Sequence, residues 1–175
     1  MARFCEGDSA AFDALFQRYV RPMHGYLTRL TGSAATADDI VQHTFLSLVR
    51  ARGRFQPGAR FKPWLYAIAT NAARDHQRRG RRPEELTEEG ELPATIAADT
   101  PGPRDSGLER AVQRALDALP EGQRIPIIMH RFEGMGFAEI ADALGLTESA
   151  VKVRAHRGYA RLRELLAGLR QETSE

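Results

Sequence analysis

The chain has 175 residues, is 42% hydrophobic and 27% charged, and carries a net charge of +2, which is enough to bury a core and excludes a globally disordered polymer. No apolar run approaches the ~20 residues of a membrane helix, the first residues lack the apolar stretch of a secretory signal, and the lone Cys5 excludes an internal disulfide framework. These features predict a cytoplasmic protein of one domain or two small ones, without direct membrane insertion.

Runs of period-2 alternation are absent and helical spacing is frequent, so an all-α fold is expected. Asp8 or Ser9 can cap a first long helix carrying Phe12, Leu15, Phe16 and Tyr19 on one face. Pro22 is expected to perturb or end it, with a second helical stretch through Tyr26, Leu27 and Leu30. After the turn "TGSAA", Thr36 and Asp39 resemble a capping box opening a helix to about Ala51. Its apolar face is Ile40, Val41, Phe45, Leu48 and Val49. "RGRFQPGAR" reads as a loop. "FKPWLYAIATNAARDHQRRGRR" (61–82) reads as a further helix with Pro63 in its first turn. Its expected core stripe is Phe61, Leu65, Ile68 and Ala72, with Trp64 packed near the surface.

Charge is segregated along the chain. Between Arg50 and Arg82 the basic residues are Arg50, Arg52, Arg54, Arg60, Lys62, Arg74, Arg78, Arg79, Arg81 and Arg82, and Asp75 is the acid among them. Residues 83–107 then carry Glu84, Glu85, Glu88, Glu89, Glu91, Asp99 and Asp105, with four prolines at 83, 93, 101 and 103. This pattern predicts a polyanion-binding face followed by an acidic linker. The helical pattern resumes at Leu108. Leu119-Pro120 opens a new element, and Pro126 argues for a helix start near Gln123.

"GFAEIADALGLTESAVKVRAHRGYARLREL" has the shape of a helix-turn-helix. Phe137, Ile140, Ala141 and Leu144 form one buried face. Gly145 permits the tight turn, Leu146 fills the angle, and Thr147 caps the second helix. There Val151, Ala155 and Leu162 face inward. Ser149, Lys152, Val153, His156 and Arg157 share the outer face, where Lys and Arg can reach phosphates or guanine edges and Val153 a thymine methyl. The competing reading is an amphipathic hairpin with a solvated basic face. Asp38, Asp39, His24, His43 and His76 are the candidates for an enzyme or metal site, but their spacings assemble neither a nucleophile–base–orienter set nor a full ligand set. No catalytic residue, metal or cofactor is therefore expected. A stand-alone regulator that binds duplex DNA through the helix-turn-helix is the other functional reading.

With these motifs in order, nearly the whole chain resembles a bacterial RNA polymerase sigma factor of the sigma-70 family, extracytoplasmic-function (ECF) type. "GDSAAFDALFQRY", "ADDIVQHTFLSLVRARGRF", "FKPWLYAIATNAARDHQRR" and "LDALPEGQRIPIIMHRFEGMGFAEIADALGLTESAVKVRAHRGYARLRELL" carry the resemblance. It implies a region 2-like domain (1–82), a linker (83–107) and a region 4-like domain (108–175). It also implies contact with core RNA polymerase, at the clamp helices of the largest subunit and the flap of the second largest. The other implied partners are promoter DNA, duplex and melted, and an anti-sigma factor.

Residue by residue, the resemblance places Asp39, Ile40, Gln42, His43 and Leu46 at the polymerase. His43 stands where the family commonly has an acid, which removes a negative charge and would make that contact weakly pH-sensitive. Solvated acids near a helix N-terminus are the plainer reading of Asp38 and Asp39. Phe55 and the loop Gln56, Gly58, Ala59 and Arg60 fall where a flipped minus-10 base is received. Asn71 is at its edge, and Arg74 and Arg78 (with Arg81) can track phosphates. Lys152, Val153, His156 and Arg157 fall at the minus-35 element, with Arg154 and Arg161 supporting phosphates or the fold. The implied place of action is the nucleoid, or the membrane when an anti-sigma factor holds the protein there. A 25-residue linker averages ~25–30 Å end to end, whereas the two promoter elements lie roughly 70 Å apart. Polymerase is thus expected to hold the domains in register, and the free protein to bind promoters weakly.

Overall fold

A computed structural model describes residues 1–79 and 106–172. The chain divides into two compact units, Met1–Ala97 and Ala98–Glu175. Every regular element among the described residues is a helix, so the all-α expectation is met. The acidic linker and Arg81 lie outside the described residues, except that Ser106 and Gly107 open a helix two residues before the pattern from Leu108 suggested.

The first unit holds α1 (Ala2–Cys5), α2 (Ser9–Thr31), α3 (Ala34–Ala51), a 3-10 turn (Arg52–Arg54) and α4 (Phe61–Arg79). Asp8, not Ser9, caps α2: its carboxylate accepts from the Ala11 N–H at 3.2 Å. That hydrogen bond, followed by the Arg3 guanidinium, holds the Asp8 carboxyl below its ordinary value. Pro22 does not end α2, which runs on for nine more residues to Gly32, a left-handed C-cap at φ 73°. The missing Pro N–H costs one hydrogen bond. Val20, Met23, Tyr26, Leu27 and Leu30 are buried on both sides of it, and burying them outweighs that loss.

α3 likewise starts earlier than expected. Ser33 is its cap, its Oγ accepting from the Thr36 N–H at 3.2 Å, so Asp38 and Asp39 sit in the second turn. Ile40, Val41, Phe45 and Leu48 are buried as expected. Phe12, Phe16 and Phe45 interlock, with Phe16 and Phe45 4.8 Å apart edge to face.

The core stripe of α4 is rotated from expectation. Leu65 and Ala72 are buried, Phe61 and Ile68 only half-buried, while Tyr66, Ala69, Thr70 and Ala73 are fully inside. The cause is that α4 packs against both α2 and α3, so two of its faces are covered. Thr70 donates to the Tyr66 carbonyl at 2.6 Å, which leaves Tyr26 to donate to Thr70 Oγ1 at 2.8 Å. This buried chain of hydroxyls ties α2 to α4.

The second unit holds α5 (Ser106–Asp117), α6 (Glu121–Arg131), α7 (Phe137–Leu144) and α8 (Glu148–Glu172). α6 begins at Glu121, not near Gln123. The Pro120 carbonyl accepts from the N–H groups of Gln123 and Arg124 at 2.9 and 3.0 Å, closing a turn ahead of Pro126. Pro126 is buried inside the helix between Ile125 and Ile127, whose burial holds the segment helical. Gly145 takes the left-handed conformation (φ 64°, ψ 38°), and the Ala141 carbonyl accepts from both Gly145 and Leu146. Thr147 caps α8 as expected, accepting from Ala150 at 3.2 Å. Thr147→Ala should lower the stability of this unit by about 1 kcal/mol, and Thr147→Ser should restore most of it, read by urea unfolding. Equal stability of all three proteins would remove the capping role.

Candidate nucleic-acid interface

α8 presents the expected surface. Val151 and Ala155 are buried against the rest of the unit. One turn around, Ser149, Lys152, Val153, His156 and Arg157 are all exposed. Val153 is 46% exposed, a large apolar side chain amid polar neighbours. Lys152 is not a free charge: Glu148 pairs with it at 2.6 Å. No ion pair is formed by Arg157 or His156 among the described residues. Of the supporting arginines, Arg161 pairs with Glu164 at 3.1 Å. Arg154 reaches back over α6, its Nη1 3.7 Å from where a Cβ on Gly122 would stand.

The first unit offers a second surface, built around an aromatic wall. Phe55, Phe61 and Trp64 meet edge-on or tilted at its edge, with Phe55 5.0 Å from Trp64 and 6.5 Å from Phe61, and Tyr19 of α2 backs Phe61 at 5.2 Å. All four are half-buried. Trp64 is therefore packed, as expected, with its ring tilted 58° to that of Phe55.

The loop beside this wall is shaped rather than slack. The Gln56 carbonyl accepts from the Ala59 N–H at 3.1 Å, with Pro57 and Gly58 (φ 84°) between them. Pro at the second position and a positive-φ Gly at the third make a type II turn. Gln56, Gly58, Ala59 and Arg60 are exposed on it. Asn71 is exposed on α4, Arg74 half-buried, and Arg78 exposed but ion-paired to Asp75.

On α3, Asp39, Gln42 and His43 are exposed and Leu46 half-buried. Ile40 does not share that surface. At 2% exposure it belongs to the core and braces the face from beneath. Asp38 is engaged by His24 of α2, Nε2 to Oδ1 3.1 Å, which leaves Asp39 as the open carboxylate. No cluster of three or more His, Cys, Asp or Glu placed to hold a metal occurs among the described residues. Nor is any helix there long and apolar enough to cross a membrane.

A helix-turn-helix with an exposed basic and methyl-bearing face, together with a separate helical unit carrying an aromatic wall beside a basic helix, defines a DNA-handling transcription protein. Residues 15–83 match Sigma-70 region 2, and residues 109–162 match Sigma-70, region 4. The chain is 41% identical over 174 residues to RNA polymerase sigma factor CarQ of Myxococcus xanthus, covering 99% of each. It is 35% identical to ECF RNA polymerase sigma factor SigE of Mycolicibacterium smegmatis, covering 97% of this chain and 68% of that one. Among solved structures it is similar to CnrH in complex with the cytosolic domain of CnrY, with a TM-score of 0.74 and 28% identity, over 95% of this chain and 94% of that one. The sigma factor RpoE of Bartonella quintana, solved with the anti-sigma factor NepR, shares the fold at a TM-score of 0.72, covering 90% and 97% at 24% identity. The chain belongs to the sigma-70 family and is an RNA polymerase sigma factor of the ECF type.

The sequence reading missed several parts of these surfaces. The carboxylate partners Glu148 and Asp75 stand at i,i+4 and i,i+3 from their cations, a spacing visible in the sequence. The Pro57-Gly58 pair is a standard type II turn signal. The Phe55–Trp64 contact has no local signature, because the two rings meet only once α4 has docked.

Proposed function

We propose that this transcription-initiation subunit meets polymerase through two surfaces and promoter DNA through two more. The exposed face of α3 (Asp39, Gln42, His43, with Leu46 at its margin) meets the clamp helices of the largest polymerase subunit, and the second unit meets the flap of the second largest. Phe55 and the Gln56–Arg60 turn receive a flipped minus-10 base, with Asn71 at its edge and Arg74 and Arg78 on the backbone. Lys152, Val153, His156 and Arg157 read the minus-35 element. The chain makes and breaks no covalent bond in this scheme; it positions polymerase and stabilises melted DNA, in the cytoplasm at the nucleoid. An anti-sigma factor is proposed as its controlling partner, in line with the solved relative CnrH being bound to the cytosolic domain of CnrY.

The observation that carries this reading is the aromatic wall Phe55–Trp64–Phe61 beside an exposed type II turn. A stand-alone duplex binder needs only the helix-turn-helix. A protein that opens DNA needs an apolar surface for an unstacked base, with hydrogen-bonding groups at the base edge.

The minus-35 assignment is tested with Arg157→Ala. If Arg157 reads a base edge, holoenzyme should lose about 1–3 kcal/mol on the cognate promoter and discriminate less at one base position, measured across single-base promoter variants. A uniform loss on every variant would make Arg157 a phosphate contact only.

A further inference from the structure

We propose that α1, which lies outside the region 2 match beginning at residue 15, is a positioning element for the minus-10 capture loop. The inference rests on the capture role proposed for Phe55.

Although only four residues long, α1 is firmly docked. Phe4 is 2% exposed. Its ring stacks on Phe12 at 6.1 Å, and Phe12 in turn meets Phe45 of α3 edge to face at 6.4 Å. The chain reverses tightly between α1 and α2. Gly7 sits at φ 93°, its N–H donating to the Phe4 carbonyl at 3.0 Å, and the Asp8 N–H donates to the Arg3 carbonyl at 2.9 Å. The Arg3 guanidinium then closes on the Asp8 carboxylate at 2.5 Å.

That reversal is where Arg52 rests. The Cζ, Nη1 and Nη2 atoms of Arg52 all lie 3.9 Å from where a Cβ on Gly7 would stand. Three guanidinium atoms equidistant from one point place the guanidinium plane facing Gly7. α1 thereby lies against the 3-10 turn as well as α2. Arg52 has a second attachment, since its carbonyl accepts from the Phe55 N–H at 3.3 Å. One residue thus has its side chain seated on the α1–α2 reversal and its backbone holding Phe55, whose ring lies 5.0 Å from Trp64. The contacts form a continuous line from Phe4 through Gly7 and Arg52 to Phe55. Arg52, one of the basic residues of the charge pattern, is exposed, with its guanidinium lying over Gly7.

The test uses holoenzyme assembled from core polymerase and the full chain, with Phe4→Ala, Phe4→Leu and Arg52→Gln variants. Three quantities are read: permanganate oxidation of minus-10 thymines, affinity for core, and the salt slope of promoter binding. Phe4→Ala and Arg52→Gln should each reduce melting about tenfold, at the upper part of the range for substitutions acting through packed intermediates, with core affinity held within about twofold. Phe4→Leu should recover most of the melting, and the salt slope of Arg52→Gln should match the parent. Undiminished melting in Arg52→Gln overturns the proposal. So does a salt slope lower by about one, which would make Arg52 a phosphate ligand. If Phe4→Ala loses core affinity in step with melting, its effect is general destabilisation and Arg52→Gln decides. Phe55→Ala separates the two levels. If it melts DNA like the parent, the capture role itself has failed. If it alone is defective, only the role of α1 has.

Discussion

Gly158→Val is expected to destabilise the helix-turn-helix unit by about 2–3 kcal/mol and to weaken minus-35 recognition with it. Gly158 lies inside α8 and is buried against α6. A Cβ there would stand 2.5 Å from Ile127 Cδ1, 3.2 Å from Gln123 Cβ and 3.3 Å from the Gln123 carbonyl oxygen. Ile127 is itself 1% exposed, so its Cδ1 has little space to retreat into, and the α6 backbone cannot yield. Glycine in a helix interior costs about 1 kcal/mol relative to alanine, so replacing it returns some intrinsic helix stability. Gly158→Ala should therefore lose less than Gly158→Val, and the branched Cβ of valine adds overlap that no rotamer avoids. Denaturant unfolding of the full chain, monitored for the second unit, measures the loss. A sharper version uses Ile127→Val, which deletes the atom nearest to the new Cβ. Alone it should cost about 0.5–1.5 kcal/mol; combined with Gly158→Ala it should cost less than the sum, because the two changes share one space. A Gly158→Val protein as stable as the parent would contradict the packing described.

Phe55→Ala is expected to slow open-complex formation roughly 5- to 150-fold, the equivalent of losing one base–aromatic stack of about 1–3 kcal/mol. The ring contributes twice. In its proposed role it offers a surface to the extruded base, and it also packs beside Trp64, so truncation removes one of the two rings, Phe55 and Phe61, that meet Trp64. Recruitment should be nearly unaffected, because the proposed polymerase face lies on the exposed side of α3, with Asp39, Gln42 and His43. Fluorescence of 2-aminopurine in the minus-10 element reads melting, and competition for core polymerase reads recruitment. Phe55→Tyr should retain most of the melting. Equal losses in both assays would contradict the division between the two surfaces.

Much of this architecture was legible in the sequence where a helix has one buried face. In α3, Ile40, Val41, Phe45 and Leu48 recur at helical spacing and are all buried. The α7–α8 turn was legible because Gly145 and Thr147 each do one job that few other residues do as well. Where tertiary packing outweighs local preference, the local reading erred. Pro22 and Pro126 both sit inside helices, since the buried residues on either side hold the backbone helical despite the lost hydrogen bond. α4 was read with a single stripe because large residues dominate the pattern. The small Ala69 and Ala73, which admit two neighbouring helices, give a periodicity scale little to register. Family position alone puts Ile40 at the polymerase, but its burial places it in the layer beneath that face. Gly158 is itself a signal in the sequence: a glycine in mid-helix costs helix stability and is retained here because Ile127 stands where a Cβ would go.

The central claim is that the two DNA-handling surfaces act only in the service of polymerase. The most direct measurement is run-off transcription with purified core polymerase on a broad set of genomic fragments, paired with gel shifts by the free protein. Promoter-specific transcripts that require this chain, together with weak duplex binding in its free form, are the predicted result. High-affinity duplex binding without polymerase, and no promoter-specific transcript from any fragment, would contradict it.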